Sequence, residues 1–261
     1  MRYTIYEIRC TTYELMRQLT QTGKKINSKI GKAIHDYGMI SDGDKILVAV
    51  SGGKDSLALL TLLSKIQTWA PVKFTLFAAH ITSDYAGIDK EHIKFLKGFF
   101  KELGVTSVFR KIKIVDKKRE VTCFWCSWNR RKALFEIADE LGCGKVALGH
   151  HKDDIVETML MNLLYNGEFS AMNPKQEMFG GKLTLIRPLC YVDEKMTAKF
   201  SRENDFPSFT CKCPAAVDSR RKFIKDFIKK AGRLAPKMDI RTNIFRSVAR
   251  VRQEYIQLKE E

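Results

Sequence analysis

Apolar positions along the chain keep two alternating rhythms. Ile30, Ala33, Ile34 and Tyr37 fall three or four apart and predict an amphipathic helix over 27–39, capped by Asn27 or Ser28. The turn SDGDK separates it from KILVAV (45–50), a short run rich in β-branched side chains that reads as a strand buried on both faces. SGGKDS follows directly, and Leu57, Leu59, Leu60, Leu62, Leu63 and Ile66 continue as a buried helix. The alternation repeats with a strand KFTLFAAH (73–80), a helix over 88–103 that Gly104 can end, and a strand SVFRKIKI (107–114). A helix over 127–141, a strand KVALG (145–149), a helix over 153–165 and a last strand LTLIRP (183–188) complete it. From about 193 no strand signal remains, and 193–204, 219–231 and 240–252 read as basic helices. Crossovers of this length predict an α/β fold, a parallel sheet with helices on both faces. The expected organisation is a helical N-terminal segment (1–41), an α/β domain (42–190) and a basic helical C-terminal region (191–261).

The 261 residues suit one large domain or a medium one with an appendage, and 44% hydrophobic residues with only 6 prolines exclude a disordered or collagen-like chain. No apolar run reaches the ~18 residues of a membrane span. The start, MRYTIYEIRC, carries a glutamate and lacks an apolar signal core, so a cytosolic setting is expected. Charge adds more: 46 Lys and Arg against 30 Asp and Glu leave +16, which points to a polyanionic partner, nucleic acid or an anionic membrane. Between Lys212 and Arg252 there are 13 basic and 3 acidic residues, +10 of that total, whereas a merely solvated face mixes both signs.

SGGKDS (Ser51, Gly52, Gly53, Lys54, Asp55, Ser56) sits where a strand ends and a helix opens, the edge at which open α/β sheets bind ligands. Two glycines let backbone amides approach an anion, the helix N-terminus adds N–H groups and a favourable dipole, and both serines can donate. Val48 occupies the position where a Walker A loop needs glycine, and GxGxxG is absent. Asp55 among phosphates makes sense if it holds a divalent cation that bridges them.

The seven cysteines are odd in number and sit in a reducing compartment, which argues against a disulfide framework. Cys10, Cys143 and Cys190 stand alone and read as core filler, while Cys123 and Cys126 form CxxC and Cys211 and Cys213 form CxC. Four assignments suit the pairs: a redox dithiol, a zinc site on all four, two structural cysteines, or an iron–sulfur cluster with three cysteine ligands and an open iron. Gly149-His150-His151-Lys152-Asp153-Asp154 lies at the end of another strand, where the two aspartates can hold a cation, orient a nucleophile or simply favour a helix first turn.

SGGKDS resembles the PP-loop of the N-type ATP pyrophosphatases, a group that includes GMP synthetase, lysidine synthetase and several tRNA thiolases. With CxxC followed by Arg130-Arg131, then GHHKDDIVETMLMNLLYNGEFSAMNPK, Ile186-Arg187-Pro188-Leu189 and Glu194-Lys195, the chain is similar over roughly 25–250 to the tRNA 2-thiocytidine synthetase family (TtcA), and more distantly to the tRNA 2-thiouridine synthetases. The resemblance implies an adenine-nucleotide α-hydrolase-like fold and a tRNA sulfurtransferase. ATP and Mg²⁺ would adenylate the C2 carbonyl of a pyrimidine, the anticodon-loop cytidine at position 32, releasing pyrophosphate, and sulfur would then displace AMP. It implies a 4Fe-4S cluster, with tRNA and a sulfur donor (a cysteine desulfurase or sulfide) as partners, and it allows a homodimer.

Residue by residue, the resemblance implies Ser51–Ser56, His80, Gly149 and Asp154 as nucleotide site, Asp55, Arg130 and Asp154 in catalysis, and Arg220, Arg221 and Lys222 on RNA. Cys123 and Cys126 match the first two cluster ligands. The family has CxxC where this chain has Cys211-Lys212-Cys213, one residue short; distance from Arg221 and the stiffening Pro214 favour Cys213 as third ligand over Cys211. Two rivals are a zinc enzyme that thiolates through a persulfide on Cys123 or Cys126, and an RNA-associated nucleotide-binding protein with a structural metal and no turnover.

Overall fold

The computed structural model describes residues 19–85, 89–115, 121–207 and 219–255. In chain order the elements are α1 (Gln21–Asp36), β1 (Asp44–Ala49), α2 (Lys54–Trp69), β2 (Phe74–Ser83), α3 (Lys90–Glu102), β3 (Thr106–Ile112) and α4 (Cys123–Glu140). They continue as β4 (Lys145–Ala147), α5 (Lys152–Met161), β5 (Lys175–Met178), β6 (Leu183–Ile186), α6 (Glu194–Glu203), α7 (Ser219–Leu234) and α8 (Ile240–Ser247). The strands lie in the order β3-β2-β1-β4-β6-β5, parallel except for β5, which runs antiparallel to β6.

Ile46, Leu47 and Val48 of β1 are fully buried because this strand lies inside the sheet with helices over both faces. Leu47 joins Ala79, Ile81, Val146, Leu183 and Leu185 under Ala133, Leu134, Ile137 and Ala138 of α4. On the other face α2 packs on β1 and β2, and α1 and α6 pack on α2 in turn. That explains why Leu57, Leu59, Leu60, Leu62 and Leu63 can all be buried on one helix. The chain passes from β1 outward through β2 to β3, then returns to the other side of β1 as β4. The strand order therefore reverses between β1 and β4, and it is at the carboxyl ends of strands at such a point that open α/β sheets take their ligands.

The residues divide into two compact units, one drawn from Met1–His151 and Pro174–Val217, the other from Lys152–Asn173 and Asp218–Glu261. The second is organised by Val156 and Leu160 of α5 against Ile224 and Ile228 of α7, with Ile244 and Phe245 of α8 beside them. This cut differs from the domain limits expected at 41 and 190, because α5 takes its apolar partners from the C-terminal helices.

Several boundaries differ as well. α1 starts at Gln21, since Thr20 and not Asn27 or Ser28 accepts from the Gly23 N–H as its cap. The helix after β4 ends at Met161 and passes into a π-helical turn, Asn162–Asn166, that Gly167 closes at φ +68°. α8 stops at Ser247. β5 is a strand that the sequence pattern does not predict: KQEM has no apolar alternation, and the Gly180–Gly181 turn that pairs it with β6 is a weak local signal. Among the described residues no helix is long and apolar enough to cross a membrane.

Candidate functional site

The loop between β1 and α2 is held by its own hydroxyls. The Gly52 N–H donates to Ser56 Oγ at 3.2 Å, the Gly53 N–H to Ser51 Oγ at 3.3 Å, and Ser56 Oγ to the Gly53 carbonyl at 2.9 Å. Gly52 lies at φ +89°, a conformation that side chains rarely adopt. Gly53 is the N-cap of α2, and no side chain caps this end among the described residues. The Gly52 and Gly53 amides thus lie just ahead of a helix N-terminus with long serine contacts that an anion can replace, as an anion site requires. Gly149, at the end of β4, explains itself by space: a Cβ there would lie 3.1 Å from the Ser56 nitrogen and 3.2 Å from the Asp55 carbonyl carbon. The two strand ends are brought together by this lack of a side chain.

Asp55 is the hub of the charged groups. Its Oδ1 accepts from Thr197 Oγ1 at 2.5 Å, its Oδ2 from Lys54 Nζ at 2.9 Å, and His151 Nε2 stands 3.9 Å away. Lys54 also reaches Glu194 Oε1 at 3.2 Å. Burial pulls the Lys54 ammonium down, but Asp55 and Glu194 together hold its pKa above the usual value. Beyond the loop, His80 Nδ1 donates to the Val50 carbonyl at 2.7 Å, and its ring meets that of His92 edge-on at 5.4 Å. Burial lowers the pKa of both histidines, against the Val50 carbonyl at His80 and the Ser51 backbone at His92, and Arg130 lowers His80 further. The neutral form is therefore favoured at both. The Arg130 Nε is buried and has no hydrogen-bond partner among the described residues, which leaves a cationic group ready for an anion. Arg187, drawn down to about 10 by burial and then by Arg131, donates from Nε to His150 Nδ1 at 3.4 Å.

Cys123 and Cys126 open α4, whose cap Thr122 accepts from the Trp125 N–H. The two cysteines stand three positions apart in the first turn of a helix, and a helix N-terminus favours thiolate. These two positions fit a pair of soft-metal ligands. The buried Cys143 and Cys190 do not: burial pushes their thiols up to about 11 and about 12, which suits core filler. Cys211 and Cys213 lie outside the described residues.

In the second unit the carboxylates that follow His151 are already paired. Asp153 Oδ1 accepts from Arg241 Nε at 2.7 Å, Asp154 Oδ1 from Arg221 Nη1 at 3.4 Å, and Glu157 faces Arg221 and Lys225. Arg220 lies over the Tyr165 ring at 5.3 Å, and Lys222 is exposed. Among the described residues no group of three or more His, Cys, Asp and Glu side chains is arranged to hold a metal ion.

Ser51–Ser56, His80 and Gly149 thus gather at one sheet edge. His92, His151, Thr197 and Glu194 join them there without having been singled out as site residues. Adjacent histidines after a strand were a signal for His151; nothing local marks His92 or Thr197, which arrive from α3 and α6.

A family described as PP-loop domain matches residues 22–231. The tRNA-cytidine(32) 2-sulfurtransferase of Geobacter sulfurreducens is 38% identical over 238 residues, 89% of this chain and 92% of that protein. Its namesake from Acidovorax ebreus is 41% identical over 213 residues, 79% of this chain and 66% of that protein, so the chain spans just under two thirds of the longer relatives. Among solved structures, the U34-tRNA thiolase NcsA from Methanococcus maripaludis, with its 4Fe-4S cluster, superposes with a TM-score of 0.70 at 22% identity, covering 90% of this chain and 79% of the other. That likeness bears on the fold.

Proposed function

This chain belongs to the PP-loop family and, within it, to the tRNA-cytidine(32) 2-sulfurtransferases, and on that premise we propose that it converts cytidine 32 of tRNA to 2-thiocytidine at the expense of ATP. The C2 carbonyl oxygen attacks the α-phosphorus and pyrophosphate leaves; a sulfur nucleophile then attacks C2, and AMP leaves with the oxygen. Adenylation is needed because the bare oxygen is a poor leaving group.

One observation carries the reading: an anion-ready loop at the point where the strand order reverses, with an uncapped helix N-terminus and Gly149 drawn against it. Loop amides and Lys54 take the phosphates. Asp55 would hold magnesium, since its carboxylate already stands among the groups that surround the phosphate loop. The buried and unpartnered Nε of Arg130 suits charge that develops on the reacting base. Asp154 assists proton movement, with Arg221 steadying its carboxylate. Cys123, Cys126 and Cys213 would hold a 4Fe-4S cluster, and Arg220, Arg221 and Lys222 contact tRNA phosphates. When bound, that cluster supplies a soft iron that presents sulfide to the activated carbon. The sulfur comes from a cysteine desulfurase or free sulfide, the enzyme works in the cytosol where tRNA and ATP meet, and a homodimer is compatible with each step.

The test is pyrophosphate release with and without tRNA, coupled to mass spectrometry of tRNA nucleosides from a deletion strain. Release that depends on tRNA and loss of 2-thiocytidine are expected. Release indifferent to tRNA, or an unchanged nucleoside profile, refutes the proposal.

A further inference from the structure

The core face of α4 is Ala133, Leu134, Ile137 and Ala138. Its first two turns present something else to solvent. Phe124 is 78% exposed and Trp128 46% exposed, one helical turn apart. The indoles of Trp125 and Trp128 lie parallel, 6° between planes and 5.4 Å between centroids. Trp125 is fixed by its Nε1–H, which donates to the Ile114 carbonyl at 3.3 Å. Lys132 Nζ stands 5.9 Å from the Trp128 ring, and Arg131 and Lys113 are exposed nearby in the chain. Large aromatics left open on a surface mark an interaction site, and the cations around this one select its partner.

We infer that Trp125, Trp128 and Phe124 form a stacking platform for unpaired bases of RNA. Three features favour this occupant over a second protein. The indoles are already parallel and one is anchored, so a base extends an existing stack with little ordering to undergo. The adjoining charges are Lys113, Arg131 and Lys132, which suit phosphates on a chain of +16, with Glu136 standing 3.9 Å from Lys132 on the side of the next turn. A lysine over an exposed ring is weakly held and can yield the ring face to a base. Base stacking on aromatics reads single strands and not duplexes, which matches a target in a tRNA loop. The inference borrows only that target from the thiolation reading. It places the platform on the helix that also carries Cys123 and Cys126.

The experiment uses the full chain, purified without oxygen, and fluorescence anisotropy of two labelled RNAs: a hairpin with an unpaired loop and a blunt duplex of equal length. The hairpin should bind more tightly. Trp128→Ala should weaken the hairpin on the order of tenfold, leave the duplex unchanged and leave the salt slope unchanged, because stacking releases no counterions. Trp128→Phe should recover most of the loss. Equal hairpin binding by wild type and Trp128→Ala overturns the inference, as does a loss that Trp128→Phe fails to rescue. A dimer that dissociates on Trp128→Ala while RNA affinity holds also overturns it and assigns the face to a second copy. Hairpin binding through Trp128 without tRNA-dependent pyrophosphate release would sink the thiolation reading alone; pyrophosphate release with an indifferent Trp128 would sink the platform alone.

Discussion

Gly52→Ala is a sharp probe of the phosphate loop, because the structure separates two costs. At φ +89° an alanine is strained by about 1–2 kcal/mol. Its Cβ would also lie 2.0 Å from Nε2 and 2.1 Å from Cε1 of His92, so the imidazole must move out of a packed position, an overpacking cost of about 1–3 kcal/mol. Together the substitution should destabilise the loop by about 2–5 kcal/mol. His92→Ala removes only the collision. In a double-mutant cycle by urea unfolding, Gly52→Ala should therefore cost about 1–3 kcal/mol less in the His92→Ala background than in the wild type. ATP affinity by calorimetry should follow the same order, with the double variant binding better than Gly52→Ala. Additive effects on stability would show that His92 does not meet the loop as described and would refute the reasoning.

Asp55→Ala should abolish pyrophosphate release while costing about 1–2 kcal/mol of stability through its lost Thr197 and Lys54 partners, and equal release by wild type and variant would refute its role. Replacing Arg220, Arg221 and Lys222 by alanine should flatten the log–log salt dependence of tRNA binding by roughly 2–3 units, with Arg221 contributing least because Asp154 and Glu157 already engage it. An unchanged slope would assign these charges to a solvated face. His80 is buried with its pKa below the ordinary 6.5, so the unfolded chain binds a proton that the folded chain resists. Stability should be full above pH 6.5 and fall as the pH drops through the lowered value, and His80→Asn should flatten that fall in urea titrations. Iron content and visible absorption of Cys211→Ala and Cys213→Ala purified without oxygen should show the cluster lost only in the second; the reverse pattern would move the third ligand to Cys211, and zinc without iron would favour the closed four-cysteine site.

What could be read from the sequence was local. KILVAV followed by SGGKDS carries its strand, loop and helix start in a dozen residues, and each fell within a residue or so of its place. Glycine at 104 stops α3 as its spacing suggested, at φ +63°. Features made by distant residues were not legible. Thr197 reaches Asp55 from 142 positions away, and no pattern near either announces it. β5 is a polar edge strand whose existence depends on β6 as a template. The apolar pattern predicts α4 from 127, whereas it starts at Cys123, because Thr122 accepts from the Trp125 N–H and caps it four residues earlier. The carboxylates of GHHKDD could be seen as helix-start residues, whereas their pairing with Arg221 and Arg241 depends on how α7 and α8 return to α5.

That return has a consequence for synthesis. Arg221 and Asp154 meet across 67 positions, so a ribosome adding about 5–20 residues per second makes α5 roughly 3–13 s before its partner helix emerges. During that interval Val156 and Leu160 lack Ile224 and Ile228, and three neighbouring carboxylates lack their arginines and lysine. The sheet can form on the nascent chain with α5 still unclaimed. A stop codon ahead of α7 would then yield, in place of a smaller nucleotide-binding domain, a sheet carrying an orphaned and self-repelling helix, the kind of product that protein quality control removes.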